Sequence, residues 1–501
     1  MSRVIVRIGE RQGALSAWLE KAVGASPQAR QPQQLGLTAG TLVAPATAAE
    51  ARAYGDRVRA ALSQHAEIAP LLNGIFQAGG GRSATLYFEI EAQAAEELRW
   101  ECLADPAGSF VAVTGACHIA RIAEETSSQE AGVRPFAPPL RLAGFLSALG
   151  ERAAAEWTAL TAAVRAEAAA GVAIVADVYI GEPALLALAQ AECEAAAGTG
   201  DRSVRALPLP ADAMTIEQQL QRQPPHILHF FCHGSAAMGA SFLTLATLAE
   251  HTLVDNGIAA EASIVIPIDE LIRWAGLRQT WLVTLNCCQG AAPSEQLYSM
   301  AYRLVSQGGV AAAIGMHEPV TAAEASRFCR AVYPPLLAAL RPATNGAAQP
   351  PLVTLELASA MAPARRALSA MYPGAKANGR WTLPVLYTQD RLLEVYRLPV
   401  ASAAPLAPAA PVAPVSPAQQ QPAQAVSVAP AAGQQMLDMA DRVRTVAGWL
   451  RALPPDAPDE LRERGLDLLD LAPPIPAEIR PDRLGQFGQV VAEAELVEAP
   501  T

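Results

Sequence analysis

From residue 139 onward, short apolar runs alternate with segments whose apolar residues recur at helical spacing. LRLAGFLSAL predicts a buried strand, EWTALTAAVRAEAAAG a helix, VAIVADVYI a strand and PALLALAQAECEAAA a helix. The order continues with VRALPLP (strand), TIEQQLQRQ (helix), HILHFFCHG (strand), IDELIRWAG (helix) and WLVTLNCCQG (strand). SEQLYSMAYRLVSQ (helix), VAAAIGM (strand) and AEASRFCRAVYPPLLAAL (helix) follow. Apolar strands of this length, separated by helices, predict a mostly parallel sheet flanked by helices on both faces.

Upstream, residues 3–8 (RVIVRI) and 85–91 (TLYFEIE) read as strands, with a helical pattern around 50–64 between them. A helix over 93–103 and a strand over 110–114 follow. Residues 1–138 thus form an α/β region leading into a 139–395 domain, with strands that can join the same sheet. Past that domain the pattern breaks. Seven prolines fall between Ala403 and Ala432, interleaved with Ala, Val, Ser and Gln, so 396–433 reads as an extended linker. Beyond it Met436, Met439, Val443, Val446, Leu450 and Leu453 recur at helical spacing. Residues 434–501 are therefore expected to be a small helical module, either a tethered adaptor that recruits a protein or a cap on the main domain.

Lys and Arg number 37 against 48 Asp and Glu, a formal charge of −11, and no basic run interrupts the acidity. A phosphate-tracking nucleic-acid binder needs a cationic surface, which removes that class. No apolar stretch approaches the length of a bilayer span, and MSRVIVRIGERQ lacks the apolar core of a secretory signal. Seven cysteines at wide spacing form no disulfide framework. Reduced thiols in the cytoplasm are the expectation.

Two strand ends carry the chemistry: HILHFFCHG, with His226, His229, Cys232, His233 and Gly234, and WLVTLNCCQG, with Asn286, Cys287, Cys288, Gln289 and Gly290. In each, an apolar strand runs into reactive residues and a Gly, and open parallel sheets bind ligands beyond the carboxyl ends of their strands. If the two strands are neighbours, His233 and a cysteine come within reach. An imidazole then takes the thiol proton and later returns it to a leaving amine. The Gly after His233 predicts a sharp turn, with the N–H groups of Gly234 and the cysteine as oxyanion donors. Strand alternation sends Cys232 and Cys287 into the core, and Cys193 and Cys329 read as core residues of Ala-rich helices. His226 and His229 read first as strand-start histidines bonded to backbone, with the base of the pocket as the alternative for His229, which is in phase with Phe231 and His233. Alternation also keeps Cys232 and His233, or Cys287 and Cys288, from sharing one ion, so no metal or other cofactor is expected.

Asn286-Cys287-Cys288-Gln289-Gly290 resembles the caspase spelling Gln-Ala-Cys-(Arg/Gln/Gly)-Gly at Cys288, with His233 upstream at about the expected separation of roughly 50 residues. Together with the GGVAAAIGM strand and the terminal WTLPVLYTQ, these motifs resemble the CHAT domain family of caspase-like peptidases. The resemblance covers about 139–395, and ELRWECL upstream is similar to the Leu-Pro-Trp-Glu stretch that often precedes the domain. It implies a caspase–hemoglobinase-like fold and a cysteine endopeptidase acting on protein substrates in regulated proteolysis, in a stress, cell-death or antiphage setting. His233 matches the general base and Cys288 the nucleophile. His317-Glu318-Pro319-Val320-Thr321-Ala322 departs from the family's Trp-Pro-Val-x-Asp. Cleavage after a basic residue, also implied, requires a pocket carboxylate, with Asp269, Glu295 and Glu318 as candidates and His317 as a cleft-wall residue. The competing expectation is a caspase-like scaffold that binds partners without catalysis.

Overall fold

The structure, a computed structural model, describes residues 3–21, 31–37, 42–77, 84–91, 93–123, 133–237, 240–287, 297–344, 351–372 and 379–398. The adaptor module and all but the first three residues of the linker lie outside them.

In chain order the strands are β1 (Arg3–Arg11), β2 (Ala14–Lys21), β3 (Gln33–Gln34), β4 (Ala84–Ile90), β5 (Cys117–Ile122) and β6 (Arg134–Phe136). Next come β7 (Leu140–Ser147), β8 (Ile174–Ile180), β9 (Val204–Pro208), β10 (Ile227–Ala237), β11 (Ala240–Leu245) and β12 (Ile264–Pro267). The last are β13 (Leu282–Leu285), β14 (Ala312–Met316), β15 (Leu352–Leu355), β16 (Pro384–Thr388) and β17 (Leu393–Arg397). One large sheet runs β3-β2-β1-β4-β5-β16-β14-β13-β10-β7-β8-β9. The fold is α/β, a mostly parallel sheet flanked by helices, as the alternating pattern predicted.

Two parallel blocks make up this sheet. β9, β8, β7, β10, β13 and β14 are parallel throughout. Strand order reverses between β7 and β10, which makes that gap the topological switch point of the block. β1, β4 and β5 form the second block, and β16 joins the two, parallel to β5 and antiparallel to β14. The front region therefore belongs to the same sheet as the rest, connected by a strand from the far end of the described chain.

Alternation along β10 and β13 divides the core. Ile227, Phe231 and Leu282 pack in one cluster with Trp157, Cys329 and Tyr333. Leu228, Phe230, Cys232, Val283, Leu285 and Cys287 pack on the opposite face.

Several local expectations are corrected. Residues 93–103 are α-helical only at Gln93–Glu96, with a 3-10 turn at Trp100–Cys102. The Arg121 guanidinium takes the carbonyls of Glu96 and Leu98 at 2.6 and 2.8 Å, satisfying groups that a longer helix would use itself. Residues 110–114 form a helical turn, Val111–Thr114, rather than a strand. Gly115, left-handed at φ 80°, closes that turn and the strand begins at Cys117. A β1–β2 hairpin, turning through Gln12 and Gly13 at φ 55° and 76°, went unread.

Candidate active site

β10 does not end at Gly234. It continues to Ala237 and pairs antiparallel with β11, setting His233 opposite Thr244 and Gly234 opposite Leu243. The sharp turn expected at Gly234 is replaced by a two-stranded ribbon, because the β-prone SFLTL run that follows folds back along the strand.

His233 stands where β10 passes the carboxyl end of its neighbour β7. Its Nε2 lies 2.7 Å from the carbonyl oxygen of Leu149, two residues past β7. A carbonyl only accepts, so Nε2 carries the hydrogen and Nδ1 is left with the lone pair. Among the described residues that Nδ1 is buried without a hydrogen-bond partner. Gly150, left-handed at φ 84°, follows Leu149 in this turn, a backbone conformation that a Cβ disfavours.

The floor of the turn is fixed by Ser147. Its hydroxyl donates to the Ala246 carbonyl at 2.5 Å and accepts the Ala246 N–H at 3.0 Å. His251 Nε2 lies 3.1 Å from the same oxygen. Burial is the first cause lowering the His251 pKa, and the Arg152 charge adds to it. Sequence reasoning missed Ser147, His251 and the Leu149 carbonyl; no motif marks them.

On the neighbouring strand, β10 and β13 are parallel and in register from Ile227↔Leu282 to Phe230↔Leu285. The Asn286 N–H continues the ladder to the Phe230 carbonyl at 2.9 Å. Cys287 and Cys232 are buried in the same cluster, as alternation predicted. Cys329 is buried likewise, whereas Cys193 is only half-buried. Cys288 and Glu295 lie outside the described residues.

The other pocket candidates are engaged elsewhere. Glu318 pairs with Arg99 and, at 3.4 Å, with Arg380. Asp269, more exposed, pairs with Arg303. His317 is buried, and its Nε2 lies 2.8 Å from Arg121 Nη2. Burial and then the Arg121 charge hold its pKa well below the ordinary value, so its ring is neutral. Arg121 itself is fully buried and paired with Glu96 at 2.9 Å and Glu101 at 3.1 Å.

His226 is the backbone-bonded strand-start histidine expected, its Nδ1 accepting the Arg141 N–H at 2.9 Å. His229 lines no open pocket; it is wholly buried between the sheet and two helices. A carboxylate oxygen of Glu156, a ring nitrogen of His229 and the sulfur of Cys329 lie within 4.8 Å of one another, a donor set of a type that zinc takes. Of the three, only His229 belongs to the His and Cys set that the two strand ends offered for a metal. A cavity of about 390 Å³ is lined by Arg141, Asp177, Arg202 and Arg205. It lies at the amino ends of β7, β8 and β9, away from His233.

The imidazole of His233 thus stands at the carboxyl end of a switch-point strand, where open parallel α/β sheets in general bind their ligands. The description "CHAT domain" matches residues 56–351, well over half of the 501-residue chain, and the chain belongs to the CHAT domain family. Two crystal structures of the Saccharomyces cerevisiae separase–securin complex are similar to it at 13% and 12% identity, with TM-scores of 0.30 and 0.28. Each likeness covers 63% of this chain and only 16% of the matched chain. No curated protein matches the sequence. No helix among the described residues is long and apolar enough to cross a membrane.

Proposed function

We propose that this chain is a cysteine endopeptidase in which His233 is the general base and Cys288 the nucleophile. The observation that carries the reading is the tautomer of His233: Nε2–H given to Leu149, and Nδ1 buried and unpartnered among the described residues. Cys288 stands three residues beyond Leu285 and His233 three beyond Phe230, and Phe230 and Leu285 are register partners. Alternation also gives Cys288 the parity of Asn286, whereas Cys287 packs in the opposite cluster.

In this mechanism Nδ1 of His233 accepts the Cys288 thiol proton, and the thiolate attacks the scissile carbonyl carbon. The N–H groups of Gly234 and Cys288 stabilise the oxyanion. Collapse of the tetrahedral adduct breaks the C–N bond, and the amine leaves with the proton held on Nδ1. Water then attacks the thioester, giving its proton to Nδ1, and the acid product is released as the thiol re-forms. Cleavage after a basic residue falls to Glu295, or to Asp269 in exchange for its Arg303 partner, since two guanidinium groups already engage Glu318. Regulated proteolysis of a protein substrate in the cytoplasm, in a stress, cell-death or antiphage pathway, is the proposed setting. The 434–501 module is the proposed recruiting or activating element, joined through the 396–433 linker to the 139–395 catalytic domain.

Hydrolysis of arginyl and lysyl fluorogenic peptides by the full chain tests this. Turnover that Cys288→Ala and His233→Ala both abolish is expected. Turnover surviving in either variant contradicts the dyad.

A further inference from the structure

One buried polar network touches the segment leading to Cys288 without taking part in the chemistry above. Glu156 lies in the first turn of the helix Ala154–Ala169, and Cys329 and Tyr333 lie on the helix Ala322–Thr344. His229 is on β10 and Thr284 on β13, with Asn286 one residue past the strand end. All six side chains are buried to 0% exposure.

Asn286 is held from three sides. Its main-chain N–H donates to Phe230 at 2.9 Å. Its side-chain Nδ2 donates to Glu156 Oε1 at 2.6 Å and to the Ala325 carbonyl at 2.9 Å, which uses both amide hydrogens. Glu156 Oε1 also lies 3.1 Å from His229 Nε2, and His229 Nδ1 lies 2.9 Å from the Tyr333 hydroxyl. Tyr333 in turn donates to Thr284 at 3.4 Å, back on the strand that ends at Asn286.

A carboxylate is an expensive group to bury, and no Lys or Arg among the described residues forms an ion pair with Glu156. Filling space between a sheet and two helices needs only an apolar side chain. A short bond from a fixed amide to a fixed carboxylate instead determines where the strand end sits. Burial and then the neighbouring Glu156 push the Cys329 thiol well up, so Cys329 stays a neutral thiol.

We propose that Glu156 is a positioning residue: by anchoring the side chain of Asn286 to the helix Ala154–Ala169, it fixes the strand end two residues before Cys288. The proposal rests on the His233–Cys288 reading. Glu156 touches no substrate and acts only through Asn286. Its effect falls on the rate at which the thiol reacts, and substrate affinity does not depend on it.

The test uses the full chain as wild type, Glu156→Gln, Glu156→Leu and His233→Ala. Alkylation of Cys288 by iodoacetamide is followed by mass spectrometry across pH, with the melting temperature alongside. Glu156→Leu is expected to slow Cys288 alkylation at pH 7 at least tenfold, to move its pH profile towards that of a free thiol, and to lower kcat with KM unchanged. Glu156→Gln keeps an oxygen for Asn286 Nδ2 and is expected within threefold of wild type. Wild-type alkylation in Glu156→Leu, or a Gln variant as impaired as the Leu variant, overturns the proposal. A stoichiometric metal that Glu156→Gln removes overturns it too, because Glu156 is then a ligand. If Glu156→Leu does not fold, Asn286→Ser removes the same bond from the other end, with the same expected loss.

Should wild-type Cys288 react no faster than in His233→Ala, the dyad reading has failed. Hydrogen exchange then tests the tether independently. The amides of 286–290 are expected to exchange faster in Glu156→Leu, and unchanged exchange sinks the tether.

Discussion

His226 stands one residue before β10, the strand that carries His233, and makes the stability of that strand sensitive to pH. Its ring packs against Phe136 at 5.3 Å and Trp281 at 4.7 Å between centroids, and its Nδ1 accepts the Arg141 N–H. That acceptor exists only while the ring is neutral. Burial and then the Arg141 charge lower its pKa from 6.5 to about 4. The unfolded chain therefore takes up this proton first. The contribution is complete above pH 6.5 and is lost as pH falls from there towards about 4. About 2.5 units at ~1.4 kcal/mol each amounts to roughly 3 kcal/mol in all, of which about 2 kcal/mol disappears between pH 7 and pH 5. Gln at this position offers an acceptor that does not titrate. Urea unfolding of wild type and His226→Gln at both pH values isolates the effect. His65, His118, His251 and His317, also lowered by burial, are common to both proteins and cancel. Wild type should lose about 2 kcal/mol more than the variant over that range. Equal losses would refute the reasoning.

Arg121→Leu leaves Glu96 and Glu101 without their buried partner and should cost ~3–5 kcal/mol in thermal unfolding, whereas a loss below about 1 kcal/mol would contradict the pairing. In Gly181→Ala the new Cβ would meet Ser147 Oγ at 2.4 Å and the Ala246 carbonyl at 2.6 Å. It should cost ~1–3 kcal/mol of stability and slow labelling of Cys288, because Ser147 anchors the turn that presents Leu149 to His233. Glu318→Gln should leave the kcat/KM ratio of arginyl to neutral peptides unchanged, since Arg99 and Arg380 already hold that carboxylate. A tenfold loss of basic selectivity would return Glu318 to the substrate pocket.

The strand–helix alternation after residue 139 was legible because each buried strand is a short apolar run, and parallel strands bury both faces. Cys232 and Cys287 were legible as core residues for the same reason: parity along a strand is a local property. The way the front region joins the sheet was not legible. β16 pairs with β5 across more than 250 residues of chain, and nothing local marks that pairing. Gly234 misled because a glycine after a histidine signals a turn, whereas pairing with β11 holds the strand extended. The imidazole orientation was hidden for another reason, since its partner is the main-chain carbonyl of Leu149, which any residue type supplies. Glu156 reads in the sequence as one helix glutamate among many. Its bond to Asn286, 130 residues away, gives it meaning.

Intact-mass labelling with arginyl and lysyl electrophiles is the most direct test of the central claim, that His233 and Cys288 form a reactive pair. Wild type, Cys287→Ala, Cys288→Ala and His233→Ala are compared under the same conditions. A single adduct kept in Cys287→Ala and lost in both Cys288→Ala and His233→Ala is the result predicted. An adduct that persists in Cys288→Ala, or a wild type that takes no adduct with or without its candidate activators, contradicts it.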